Sequence, residues 1–129
     1  MLIGELAQAS GTTTKTLRYY EQAGLLPAPE RTATGYRDYD PVTLQRLDFI
    51  RRSQAAGLTL AQIRKVLQVR DAGTAPCHHV HALLDSRLDQ LDRQIADLQG
   101  LRQIVSELRD GAAAADPAAC DPVTVCRYL

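Results

Sequence analysis

A chain of 129 residues has room for one small domain and an appendage, and its 15 basic and 15 acidic side chains balance overall. They are not evenly spread: residues 1–70 carry ten Lys/Arg and six Asp/Glu, a net of +4, and residues 71–129 carry five and nine, a net of −4, which points to a polyanion-binding first half. No apolar run is long enough to span a bilayer, and the start MLIGELAQAS lacks a basic segment followed by a long apolar core, so a cytoplasmic protein is expected, with no membrane partner.

The first 70 residues read as a small helical head, residues 1–70. Ile3, Leu6 and Ala7 have helical spacing, and Ser10-Gly11 interrupts it. Thr12 or Thr13 can cap a second helix that runs to about Ala23, with Gly24 as a left-handed stop. Helix, Gly-containing turn, helix is the helix-turn-helix pattern. LLPAPERTATGYRDYD then excludes helix, and Arg31-Thr32 and Tyr36-Arg37 are placed to pair as a short wing around Ala33-Thr34-Gly35. Asp40-Pro41 starts a third helix, with Leu44, Leu47 and Ile50 on its apolar edge, and Gly57 ends it. Thr59 caps a fourth, Leu60 to about Val69, with Ile63, Val66 and Leu67 inward.

Residues 71–76, DAGTAP, have the composition of a hinge. A long helix is expected over 77–109, where Leu84, Leu91, Leu98 and Val105 recur every seven residues and Leu88, Ile95, Leu101 and Leu108 fill the intervening seam. A seam of four heptads with no partner in its own chain implies a homodimer. Residues 110–129 are a loop and tail rich in small residues, ending CDPVTVCRYL.

The second helix and the wing concentrate groups that suit DNA. Lys15, Arg18 and the hydroxyls of Thr13 and Thr14 lie near the start and one side of the helix, and Arg and Lys reach phosphates or guanine edges in the major groove. Tyr19 and Tyr20 point about 100° apart, one inward and one outward. Arg31, Tyr36, Arg37 and Tyr39 supply a second set of donors from the wing. Four of the five tyrosines fall between Tyr19 and Tyr39, a clustering that a scattered core would not give.

IGELAQASGTTTKTLRYYEQAGLLPAPERTATGYRDYD resembles the DNA-binding head of the MerR family of bacterial transcriptional activators. The elements that carry the likeness are the opening Ile-Gly-Glu-Leu-Ala, the Thr-Leu-Arg-Tyr-Tyr-Glu-x-x-Gly-Leu-Leu core and Gly-Tyr-Arg-x-Tyr in the wing; it continues through LQRLDFIRRSQAAGLTLAQIRKVL and the long helix. The resemblance implies a mainly α fold: a winged helix-turn-helix head, an antiparallel coiled-coil dimer and a short C-terminal metal-binding loop. It implies a partner set of double-stranded promoter DNA, a second copy of the chain, and RNA polymerase at a promoter whose spacer is too long. The inducer reshapes the dimer, which distorts the DNA and so activates transcription. By matching position, Arg18, Tyr19, Tyr36 and Arg37 lead the DNA contacts, with Lys15 and Tyr20 next.

Three cysteines in a reducing compartment are not expected to form structural disulfides. A helix from Cys77 to Arg109 is about 50 Å long, and the eleven residues from Arg109 to Cys120 reach at most about 40 Å, so Cys77 cannot join Cys120 of its own chain. In an antiparallel dimer Cys77 meets Cys120 and Cys126 of the partner. Three thiolates suit Zn²⁺, Cd²⁺, Hg²⁺ or Pb²⁺, and the resemblance points the same way, since members answering divalent ions carry a cysteine at the head of the long helix. His78 and His81 are candidate further ligands; Cys77 and His81 are four apart and share a helix face.

A thiol redox or electrophile sensor, or a Cu(I), Ag(I) or Au(I) sensor built on Cys120 and Cys126, would use the same architecture. A metal-buffering protein is the reading from a different class. An enzyme is not expected: there is no Ser/His/Asp set, no phosphate-binding Gly loop and no paired carboxylates in a pocket.

Overall fold

Helix α1 (Ile3–Ser10) opens on a bond from the Leu2 amide to the Glu5 carboxylate at 2.7 Å, which occupies an otherwise orphaned donor of its first turn. Leu6 and Ala7 are its buried face, and Gly11 stops it in the left-handed region at φ 68°. Helix α2 (Thr14–Gln22) is capped by Thr13, whose hydroxyl accepts from the Thr16 amide at 3.1 Å. Leu17 and Tyr20, three apart, face inward together. The helix-turn-helix read from the sequence is therefore present, with α2 ending one residue earlier than expected.

The wing is an antiparallel pair, β1 (Glu30–Arg31) and β2 (Arg37–Asp38), in the register Glu30↔Asp38 and Arg31↔Arg37. This is one residue outward of the expected pairing. Thr32 and Tyr36 belong to the turn instead: Gly35 donates to the Thr32 carbonyl at 2.9 Å and the Tyr36 amide to the Thr32 hydroxyl at 3.1 Å. Helix α3 (Thr43–Ala55) also starts later than Asp40-Pro41 suggested, because Asp40 Oδ1 accepts from the Val42 amide at 2.9 Å and caps a turn ahead of the helix. Helix α4 (Leu60–Asp71) begins with a reciprocal cap. The Gln62 amide donates to the Thr59 hydroxyl at 3.2 Å, and the Thr59 amide to the Gln62 side chain at 3.0 Å.

One apolar core joins these elements: Leu6, Leu17, Leu25, Leu26, Leu47, Ile50, Leu58, Ile63 and Leu67, with Leu83 packed at its edge. Arg46 closes one side. Its Nε donates to the Leu25 carbonyl at 2.6 Å and its two Nη groups meet the Asp71 carboxylate at 2.8 and 3.0 Å.

Helix α5 (Cys77–Ala113) has 37 residues and runs four beyond the expected Arg109, since Gly111 alone does not stop a helix that Ala112 and Ala113 favour. No residue of α5 is buried. Leu88, Ile95, Leu98, Leu101, Ile104 and Val105 are all more than half exposed. A 3₁₀ turn follows at Pro117–Ala119. The computed structural model describes residues 1–119, 122, 123 and 125–129. They fall into two units, Met1–Arg87 and Leu88–Leu129, so the first turns of α5 belong with the head. Among the described residues, no helix is long and apolar enough to cross a membrane.

Candidate nucleic-acid interface and thiol ligands

The exposed side of α2 carries Lys15, Arg18 and Tyr19, with Thr14 half-buried beside them and Thr13 at the cap. Tyr19 is 55 % exposed, and its ring centroid lies 6.2 Å from that of Tyr20, at 50°. An outward Tyr19 and an inward Tyr20 follow from adjacency on a helix. On the wing, Arg31 is exposed and donates to the Gly35 carbonyl at 3.1 Å, and Tyr36 is 67 % exposed.

Two residues expected among the donors to DNA have their rings packed in the core. Tyr20 and Tyr39 are buried, and their hydroxyls are engaged: Tyr20 donates to Gln54 Oε1 at 3.3 Å, and Tyr39 to Glu21 Oε2 at 3.0 Å. Burial, then the bond to Glu21 and its negative charge, push the Tyr39 hydroxyl up to about 12. Arg37 is half-buried, with its Nε on the same Glu21 oxygen at 3.1 Å.

Glu21 is therefore the residue that fastens the wing to α2, and it was not singled out from the sequence. A signal existed. Glu21 stands four after the buried Leu17, so it faces the same way, and an acidic group at such a position needs a cationic or hydroxyl partner. Arg46, also missed, ties the loop after α2 to the end of α4.

The cysteines are placed differently. Cys77 opens α5 and is exposed; Cys126 lies in the tail and is exposed; Cys120 lies outside the described residues. Cys77 belongs to the first unit and Cys126 to the second. His78 and His81 are exposed, while His79 is half-buried and its Nε2 has no hydrogen-bond partner. Among the described residues, no three His, Cys, Asp or Glu side chains converge within one chain. The donors still fit a soft cation chemically, because two accessible thiols and an imidazole face are groups that a divalent d¹⁰ ion takes.

A helix-turn-helix, a wing fastened to its second helix and an exposed cationic and phenolic face define a DNA-binding regulator. Residues 1–69 match the family described as MerR HTH family regulatory protein, and residues 44–108 match MerR, DNA binding. The chain is similar to the mercuric resistance operon regulatory protein of Bacillus cereus, 41 % identical over 108 residues, covering 84 % of this chain and 82 % of that one. It is similar to the ZntR homolog of Haemophilus influenzae, 36 % identical over 116 residues, covering 90 % and 86 %. Among solved structures it resembles the transcription regulator PbrR691 from Ralstonia metallidurans CH34 in complex with lead(II). There the TM-score is 0.77 and the identity 39 %, covering 93 % of this chain and 94 % of that one. The chain belongs to the MerR family of helix-turn-helix transcription regulators, and its relatives include metal-responsive members.

Proposed function

We propose that this protein binds promoter DNA as a homodimer and activates transcription when a soft divalent ion, Zn²⁺, Cd²⁺, Hg²⁺ or Pb²⁺, bridges Cys77 of one protomer to Cys120 and Cys126 of the other. The observation that carries the reading is the bare helix α5 between the cysteines. Its 37 residues make it about 55 Å long. The seven residues from Ala113 to Cys120 reach at most about 25 Å even when fully extended. One chain alone cannot bring Cys77 to Cys120. A second, antiparallel copy can, and it would cover the exposed Leu88, Ile95, Leu98 and Val105 of the seam. The names of the relatives, which respond to mercury or were crystallised with lead, support a soft divalent ion rather than a hard one.

In this reading Arg18, Tyr19, Tyr36 and Arg37 hold the DNA, with Lys15, Arg31 and the Thr13–Thr14 hydroxyls on phosphates. His78 and His81 stand next to the metal as further ligands. Metal binding reshapes the dimer and deforms the promoter so that RNA polymerase can engage it, and the deformation energy is the regulated quantity.

The test is a Cd²⁺ titration of the reduced protein, followed by the ultraviolet thiolate-to-metal band. Cys77→Ser and Cys126→Ser homodimers should each lose most of it. Mixed dimers of the two variants should regain one intact site. No recovery on mixing overturns the shared site. A band indifferent to Cys77 moves the reading to a redox switch or a monovalent-metal site on Cys120 and Cys126.

A further inference from the structure

We propose that Arg87 is a positioning residue that couples α5 to the α3–α4 turn, and through it to α2. This inference rests on the metal-responsive reading above. Gly57 ends α3 in the left-handed region at φ 88°, and a Cβ placed there would come within 2.5–2.7 Å of Arg87 Nε, Nη2 and Cζ. The guanidinium thus lies directly on the glycine. Its Nε also donates to the Ala56 carbonyl at 3.1 Å. Ala56 is the C-cap of α3, where carbonyls lack intrahelical partners and the helix dipole favours a cation.

Both sides of this contact are tied to the recognition helix. Gln54, two residues before Ala56, accepts the Tyr20 hydroxyl of α2 at 3.3 Å. Leu58, one residue after Gly57, is in the core, and Thr59 next to it caps α4. On α5, Leu83 stands one turn before Arg87 and packs against that same core. Leu83 therefore gives the first turns of α5 an apolar contact with the head, and Arg87 gives them a polar one. The polar one is directional, and a side chain at Gly57 would displace the Arg87 guanidinium. A movement of α5 has a route of four named residues, Arg87, Ala56, Gln54 and Tyr20, to the helix carrying Arg18 and Tyr19.

The experiment uses the full dimer, Cd²⁺, and a duplex that the wild-type protein selects from a random-sequence pool. Arg87→Met keeps the aliphatic stem and removes the donors. It should leave the Cd²⁺ thiolate band and the affinity of the metal-free protein for the duplex within about twofold, while the Cd²⁺-dependent activation ratio in transcription in vitro falls by about fivefold or more. Arg87→Lys, which keeps the charge without the fork, should restore little. An unchanged ratio, or equal losses in metal binding and DNA binding, overturns the coupling. If the wild type shows no activation by Cd²⁺, it is the proposed function that fails. Amide hydrogen exchange then decides: Arg87→Met must raise exchange at Leu58 and along α2, and unchanged exchange rejects the contact as a coupling element.

Discussion

Tyr39 donates its hydroxyl to Glu21 Oε2 at 3.0 Å, and this bond fastens the chain just after strand β2 to helix α2. The same oxygen takes Arg37 Nε. Glu21→Ala would strand a buried hydroxyl and a half-buried guanidinium, so a loss of about 2–3 kcal/mol is expected in urea unfolding. DNA affinity should fall with it, because the wing loses its fixed position. Tyr39 adds a pH dependence. Its hydroxyl is held at about 12 in the folded chain against 10.0 ordinarily, so the folded state keeps the proton more tightly. That stability is whole below pH 10.0 and is lost as pH rises towards 12. Tyr39→Phe should abolish the alkaline slope.

Arg46 and Asp71 offer a contrast between a half-buried and an exposed partner. The bond from Arg46, then the charges of Arg46 and Arg70, hold the Asp71 carboxyl below its ordinary range. A lowered carboxyl contributes stability above the unfolded value and loses it as pH falls. Asp71 is about half exposed, so Asp71→Asn should cost under about 1 kcal/mol. Arg46→Met should cost more, about 1–3 kcal/mol, because it also strands the Leu25 carbonyl. Paired denaturation curves at neutral and acid pH separate the two.

Arg18 and Tyr20, two residues apart on α2, should behave oppositely on DNA. Arg18 is exposed and Tyr20 buried. Arg18→Ala is expected to weaken binding and to lower the salt dependence by about one counterion. Tyr20→Phe should leave that slope unchanged. Fluorescence anisotropy over a range of salt concentrations reads both.

Leu98 is 64 % exposed at the middle of the α5 seam. Leu98→Glu should convert a dimer to a monomer in light scattering, since a carboxylate in a coiled-coil core goes unpaired. The head should remain folded, with its thermal transition retained.

Two helices of the head were legible because they have chemical starts: Thr13 ahead of α2, with Gly24 after it, and Thr59 ahead of α4. The long helix α5 was legible from its apolar spacing and the lack of proline from 77 to 109; the pairing of its seam with a second copy stands as part of the proposal. The wing strands lie one residue further out than expected, in the expected register, because Thr32 and Tyr36 look like strand residues, yet the Thr32 hydroxyl and carbonyl serve the turn. The burial of the Tyr20 and Tyr39 rings was not legible because a tyrosine does not reveal from sequence which end is wet. Their inward rings follow from partners remote in sequence, Gln54 and Glu21, which a local reading does not pair. The convergence of Cys77, Cys120 and Cys126 involves Cys120, outside the described residues, and a second copy of the chain, so it stands as part of the proposal.

The bare face of α5 has a consequence for abundance. Beyond Arg87, α5 buries none of its side chains and draws little stability from its own chain. Once association covers that face, its free energy depends on how many copies are present. Dilution would then loosen the second half of the chain and expose it to proteases while the head stays folded. If the proposed dimer forms, a scarce regulator of this design would also be a short-lived one, with a cellular level below which no dimer accumulates.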